Sequence, residues 1–226
     1  MWSRVLGVVA IAALGARLAQ NFQKSRARRQ ANIEALFSEV LDVIEEPVFE
    51  QQDYQGYPRL SGSYSGFPIQ IKPVVDTLAI RRLPALWLLV TVQDRLPIKA
   101  RFDMMMRPAG PTTFSNFDLL PRTLEHLDGF PEHAVIRTDD PEEVLPAHLI
   151  KPHLSLFFGS RAKELLITEN GLRMVWLLAE ADRARYGIFR QAEFGTIAID
   201  AKVLKDILDC LLAIRHSILD WDKNKK

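Results

Sequence analysis

Apolar positions open the chain as a block and then settle into periods. Residues 5–16, VLGVVAIAALGA, are twelve apolar or small side chains in a row. As a helix at about 1.5 Å per residue they reach about 18 Å, short of the roughly 30 Å of a bilayer's hydrocarbon core. With Arg4 and Arg17 snorkelling outward and Trp2 at the interface, the usable segment grows to Trp2–Ala19, near the lower limit for a span. One Arg precedes the run and five Lys or Arg come after it by residue 29, so the positive-inside rule places the remainder of the chain on the cytoplasmic side. The expectation is a membrane anchor over 1–20. Three alternatives stand beside it: a secretory signal, against which the positive charge behind Ala13 and Gly15 counts, an Arg-rich transit peptide, and a surface-lying helix.

The period then becomes helical. Ile33, Leu36, Phe37, Val40, Leu41 and Ile44 form one stripe, with Glu34, Glu39, Asp42 and Glu45 opposite, and Pro47 is expected to end the helix. That helix packs on the domain or serves as a stalk that pairs two copies. From residue 59 the period is two. Leu60, Gly62 and Tyr64, a Ser65-Gly66 turn, and Phe67, Ile69 and Ile71 predict a hairpin. Ala85–Val92 is almost wholly apolar and predicts a central strand covered on both faces. Ile98, Ala100, Phe102, Met104 and Met106 alternate with Lys99, Arg101, Asp103 and Met105, which predicts one more strand.

Residues 107–131, with Pro108, Gly110, Pro111, Asn116, Pro121, Gly129 and Pro131, read as a long loop, functional or mobile. A second set of elements comes next: a strand at 135–137, a helix from Pro141 to about Phe158, and strands at 164–168 and 172–178 joined by a type I′ turn at Asn170-Gly171. The segments 183–190 and 194–199 are expected to extend this sheet. Asp200 is placed to cap a closing helix with Val203, Leu204, Ile207, Leu208, Leu211, Leu212, Ile214 and Ile218 on its apolar face. The pattern predicts an α+β fold: an N-terminal hydrophobic helix, then antiparallel meander-type sheets with packing helices. The organisation reads as anchor 1–20, basic linker and amphipathic helix 21–46, a single α+β domain 47–222, and a basic tail 223–226.

Composition changes this picture little. In 226 residues the formal net charge is +1, yet residues 1–33 hold six bases and no acid, leaving 23 bases against 28 acids in the remainder. A mildly acidic body has no electrostatic reason to follow a phosphate backbone, so nucleic acid is not expected as a partner. The single Cys210 rules out an internal disulfide framework and, set among Ile207, Leu211 and Ile214, reads as a buried inert thiol.

Candidate chemistry is sparse. The acids of RTDDPEEV resemble a cation site, but Asp140, Pro141 and Glu143 fit a helix cap better. His148 and His153 are five apart with Pro152 between, which is not a metal-binding spacing on one helical face. His126, His133 and His216 are scattered, and neither of the standard glycine-rich phosphate cradles occurs. Met104, Met105 and Met106 read as core filling, with two of the three inward, and Arg81, Arg82, Lys223, Lys225 and Lys226 as solvated charge. No catalytic, metal-ligating or cofactor-binding residue is assigned, and no cofactor.

GSYSGFPIQI (62–71), AVIRTDDPEEVLPAHLI (134–150) and ELLITENGLRMV (164–175), behind an anchor and a helix, resemble a bacterial family of membrane-anchored α+β proteins of unknown function. In that family a Gly-aromatic-Gly hairpin precedes one strand group, and a strand, Asp, helix, strand, turn, strand unit comes after it. The resemblance spans 60–178 and implies a fold and a location, with no activity and no site residue to carry over. The expected function is a membrane-tethered, cytoplasmic-side protein-binding or scaffold domain that uses the 107–131 loop or an exposed sheet edge. Two alternatives remain: a membrane-associated enzyme with a His and carboxylate site drawn from distant segments, and a structural component self-associating through Gly7, Gly15 and the 33–44 helix. The expected partners are membrane lipid at the N-terminal helix, a protein, and a second copy of the chain.

Overall fold

A computed structural model describes residues 34–50, 57–78, 83–183 and 194–225 without a break, together with Arg17, Gln20, Gln23, Ala31, Asn32 and Ala192. The expected anchor falls almost wholly outside these residues, as do Ile33, Arg81, Arg82 and most of the strand expected at 183–190. No helix among the described residues is long and apolar enough to cross a membrane.

Nine described strands form one antiparallel sheet: β1 Glu45–Glu50, β2 Arg59–Tyr64, β3 Phe67–Asp76, β4 Ala85–Gln93, β5 Phe102–Met106, β6 Arg122–Thr123, β7 Ala134–Thr138, β8 Ala162–Thr168 and β9 Gly171–Glu180. Their spatial order is β1-β2-β3-β4-β9-β8-β5-β7-β6. The two strand groups expected from the sequence are therefore one sheet. β4 joins β9 along its whole length, from Ala85 opposite Glu180 to Gln93 opposite Gly171. Apart from Thr91, Gln93, Arg173 and Glu180, both strands are apolar on both sides of the pleat, and that suits them to the middle of the sheet.

Period-two alternation sends Leu60, Ile69, Ile71, Leu88, Val90, Val92, Phe102, Met104, Leu165, Ile167, Leu172 and Met174 to one face. There they pack with Leu204, Ile207, Leu208, Leu211, Ile214 and Ile218 of helix α1, Ala201–Lys225. Asp200 starts α1 as expected: its Oδ1 accepts from the backbone N–H groups of Lys202 at 2.7 Å and Val203 at 3.1 Å.

Several expectations are corrected. The stripe at 33–44 is helical only to Phe37; a turn and a 3-10 segment at Leu41–Val43 succeed it, and Pro47 lies inside β1. β1 pairs with β2 alone, so a residue without N–H breaks no ladder there, and a bulge between Glu45 and Val48 takes up Glu46 at φ +52°. The helix expected at 141–158 is a series of 3-10 turns, because Pro146 and Pro152 cannot donate to an α-helical ladder. Asp140 accordingly accepts from Glu142 N–H in a local turn, and Glu143 pairs with Lys99 at 2.9 Å.

The strand expected from Ile98 begins only at Phe102, since Lys99 and the Arg101 backbone are bound to Glu143 and Asp139. The segment 194–199 is no strand; Ile199 N–H donates to Leu36 O and ties it to the 34–37 turn. Thr168 pairs with Gly171, so the β8–β9 loop is Glu169-Asn170, neither at positive φ, and Gly171 adopts φ +141°. The left-handed pair needed for a type I′ turn is instead Ser65-Gly66, at +51° and +78°.

Gly62 is required for space. A Cβ there would sit 2.5 Å from Ile44 Cγ2 and 2.7 Å from Glu45 O. Gly62→Ala is expected to lose about 1–3 kcal/mol through overpacking. Thermal melting will show a drop of about 2–4 °C per kcal/mol, and amide exchange will be fastest to respond in β1.

Candidate functional site

The other face of the sheet carries a row of mostly polar residues that crosses eight strands: Ser61, Gln70, Thr91, Arg173, Leu166, Asp103, Arg137 and Thr123, each paired with the next. Over β2 and β3 this face is half-exposed and polar. Over β4, β9 and β5 it turns apolar beside the row, at Leu89, Val175 and Met105, with Glu164 of β8 between the last two, and residues 107–121 fold across it as a strap. Phe117 packs onto those three, and the Phe114 ring lies 5.3 Å from that of Trp87.

Polar contacts hold the strap. The Arg137 guanidinium lies 5.1 Å over the Phe117 ring, and its Nη1 donates to Asp118 O at 3.1 Å and Phe117 O at 3.5 Å. Thr113 Oγ1 donates to Val75 O, and Lys163 Nζ grips the strap's root at Met106 O and Arg107 O. Ser115 Oγ accepts from Phe117 N–H at 3.1 Å and donates to Glu164 Oε1.

Beneath the strap lies a buried acid pair. Asp103 is 2% exposed and Glu164 0%. Arg173 Nη2 donates to Glu164 Oε2 at 3.1 Å, so both Glu164 oxygens accept from a donor. Asp103 lies beside Glu164 and feels its charge, and its Oδ1 has no partner among the described residues.

That geometry assigns the charges. Glu164, with two donors, is the anion; Asp103, buried beside that charge, is the acid that keeps its proton. Burial first, and the Glu164 charge second, push Asp103 up from the ordinary 3.8 to about 8, against the pull of Arg173 and Arg101. Burial also raises Glu164, opposed by Arg173, the Ser115 hydroxyl and Lys163. The cluster can hold a proton through the neutral pH range and exchange it above.

The residues weighed from the sequence lie elsewhere. His148 is exposed, and His153 sits half-buried with Nε2 3.0 Å from Ser217 Oγ, its pKa lowered by burial. His126 and His133 are exposed, and His216 Nδ1 bonds Leu212 O within α1. No group of three or more His, Cys, Asp or Glu that could hold a metal ion occurs among the described residues. Met104 and Met106 enter the main core as expected, whereas Met105 is also buried, under the strap. Cys210 donates to His153 O at 3.1 Å, and burial pushes its thiol up to about 11.

Alternation alone sets Asp103 on a wet face with Lys99 and Arg101, and the structure buries it instead. The signal against the wet reading is Met105, which shares the face with Asp103 and has no reason to be wet. Glu164 inside the apolar strand AKELLIT carries the same kind of signal.

No protein-family model matches the chain, and no curated protein or solved structure matches it either.

These environments have two measurable outcomes. Between the unfolded pKa of 3.8 and the folded value of about 8, the folded chain keeps a proton on Asp103 that the unfolded chain has lost. Stability contributed by Asp103 is therefore full below the lower value and is lost as pH rises through the upper one. Melts from about pH 5 to pH 9 will show Tm falling by roughly 5 °C or more, because one pKa unit is about 1.4 kcal/mol and each kcal/mol is about 2–4 °C in a domain of this size. Asp103→Asn, which has no proton to lose, will flatten that slope. Cys210 will resist iodoacetamide in the native chain, roughly a hundredfold against a free thiol, and react at the ordinary rate in urea.

Proposed function

We propose that this chain is a membrane-tethered domain, held on the cytoplasmic side by residues 1–20, that binds a membrane-resident protein through the 107–121 strap. Leu119 carries the reading. It is 78% exposed, the most exposed of the large apolar side chains among the described residues. It ends a 3-10 turn, Phe117–Leu119, whose Phe117 and Asp118 carbonyls are held by Arg137. Ordering a free loop costs about 1–2 kcal/mol per residue; a loop already bound to the sheet avoids that loss when an apolar anchor enters a partner's pocket.

The sheet edges are less suited to the task. β1 carries a bulge, Pro47 and the acids Glu45, Glu46 and Glu50, and β6 is two residues long. These are features that discourage strand addition. The tether rests on the 5–16 run and the bases behind it.

A photo-crosslinker at position 119 of the full chain in its native membrane will give one discrete adduct, and the same group at the exposed Phe158 will give none. Equal adducts at both positions would end the reading. Leu119→Arg will abolish capture of the same adduct partner while shifting stability by less than about 0.5 kcal/mol, as for most surface changes. The chain will sediment with membranes, and a C-terminal tag will resist protease added to intact cells until the membrane is breached.

A further inference from the structure

We infer that an ordered water molecule is built into the sheet beneath the strap, bridging Asp103 Oδ1 on β5 to Arg137 Nε on β7. The two residues stand directly opposite each other in the β5–β7 ladder, on the strap side. Each brings one buried atom that has no hydrogen-bond partner among the described residues, an oxygen of the Asp103 carboxyl and the Nε–H of the Arg137 guanidinium. A third such atom, Arg173 Nε, belongs to the same row, across Leu166. Buried polar atoms are seldom left bare, and three along one row mark a partner that they share.

The neighbouring side chains are already committed. Ser115 Oγ is engaged by Glu164 and by Phe117 N–H, and both Glu164 oxygens accept from donors. Arg137 Nη1 is turned to the strap carbonyls of Phe117 and Asp118, and Thr138, next along β7, bonds Asp140. Leu166, opposite Asp103 on β8, and Met105, two positions along β5, are apolar.

The donor and acceptor set selects water. Arg137 Nε can only donate, whereas Asp103 Oδ1 accepts as a carbonyl oxygen or donates as a hydroxyl, according to which oxygen carries the proton. Water accepts the first bond and completes the second in either case, and where Asp103 accepts it has a lone pair left for Arg173 Nε. An anion could serve only the hydroxyl form, and a metal cation would meet two guanidinium groups. Internal waters typically make about three bonds to groups of this kind.

The bridge makes one continuous support. Asp103 holds the water, the water holds Arg137, and Arg137 holds two carbonyls of the turn that ends in Leu119. That the water thereby steadies the Leu119 anchor rests on the partner reading; the water itself does not.

The test uses the full chain, isotope-labelled so that arginine Nε–H groups are visible by NMR, with the Arg137 signal identified by its loss in Arg137→Lys. The expected result is a cross-peak from Arg137 Nε–H to the water resonance whose sign changes between laboratory-frame and rotating-frame experiments, the mark of a bound water rather than of proton exchange. Asp103→Asn, whose side-chain amide still bonds water, will keep the cross-peak, and Asp103→Leu, apolar and of similar size, will lose it. A wild type without that cross-peak, or an Arg137 Nε–H that exchanges with bulk water too fast to be seen, would overturn the inference, and these two readings decide it even if Asp103→Leu does not fold. A cross-peak kept in a folded Asp103→Leu or lost in Asp103→Asn would overturn it as well. So would an Arg137 Nε–H shift that follows added bromide, since the site would then hold an anion.

Discussion

The pairing of β4 with β9 is the constraint on which the rest of this molecule depends. Each strand belongs to a different half of the chain, and without their ladder the first four strands and the last five would be two sheets with two exposed apolar edges. With it, a single apolar face is wide enough to receive the length of α1. The same register sets Thr91 beside Arg173 and Arg173 beside Leu166, and thereby places the guanidinium within reach of Glu164. Core and candidate site are two sides of one alignment.

The two faces solve different problems. On the helix side, alternation supplies a continuous apolar surface, and burial of the kind worth about 25 cal/mol per Å² holds it. On the strap side, ionisable groups sit among apolar ones, and an unpaired ion there would be costly by several kcal/mol. Glu164 is tolerated because two donors converge on it from separate elements, Ser115 from the strap and Arg173 from β9. Phe114 and Phe117 keep water off the rest. The strap is thus as much a part of this face's chemistry as the strands are.

Legibility in the sequence is local. The hairpin at 59–76, the mostly apolar β4 and the capped closing helix can be read there because period, turn residues and a cap each act over a few positions. The end of the first helix, the 3-10 turns at 147–158 and the loop at 94–101 cannot, because each is decided by a distant partner or by a proline's missing donor. Residue preference points to Asn170-Gly171 for the I′ geometry, while pairing register puts it at Ser65-Gly66. The acid pair is hidden for the same reason: Asp103 and Glu164 are 61 positions apart, and only the β5–β8 ladder brings them together. The anchor expected over residues 1–20 lies almost wholly outside the described residues and rests on the sequence alone.

One consequence of the β4–β9 ladder concerns time. Its two strands are separated by about 80 residues, so at roughly 5–20 residues per second a ribosome spends several seconds between completing one and supplying its mate. During that interval ALWLLVTVQ has β3 on one flank and an open row of amides on the other. Non-local pairing of this kind is slow to nucleate. The nascent chain therefore passes through a stage in which this largely apolar strand is covered on one flank only.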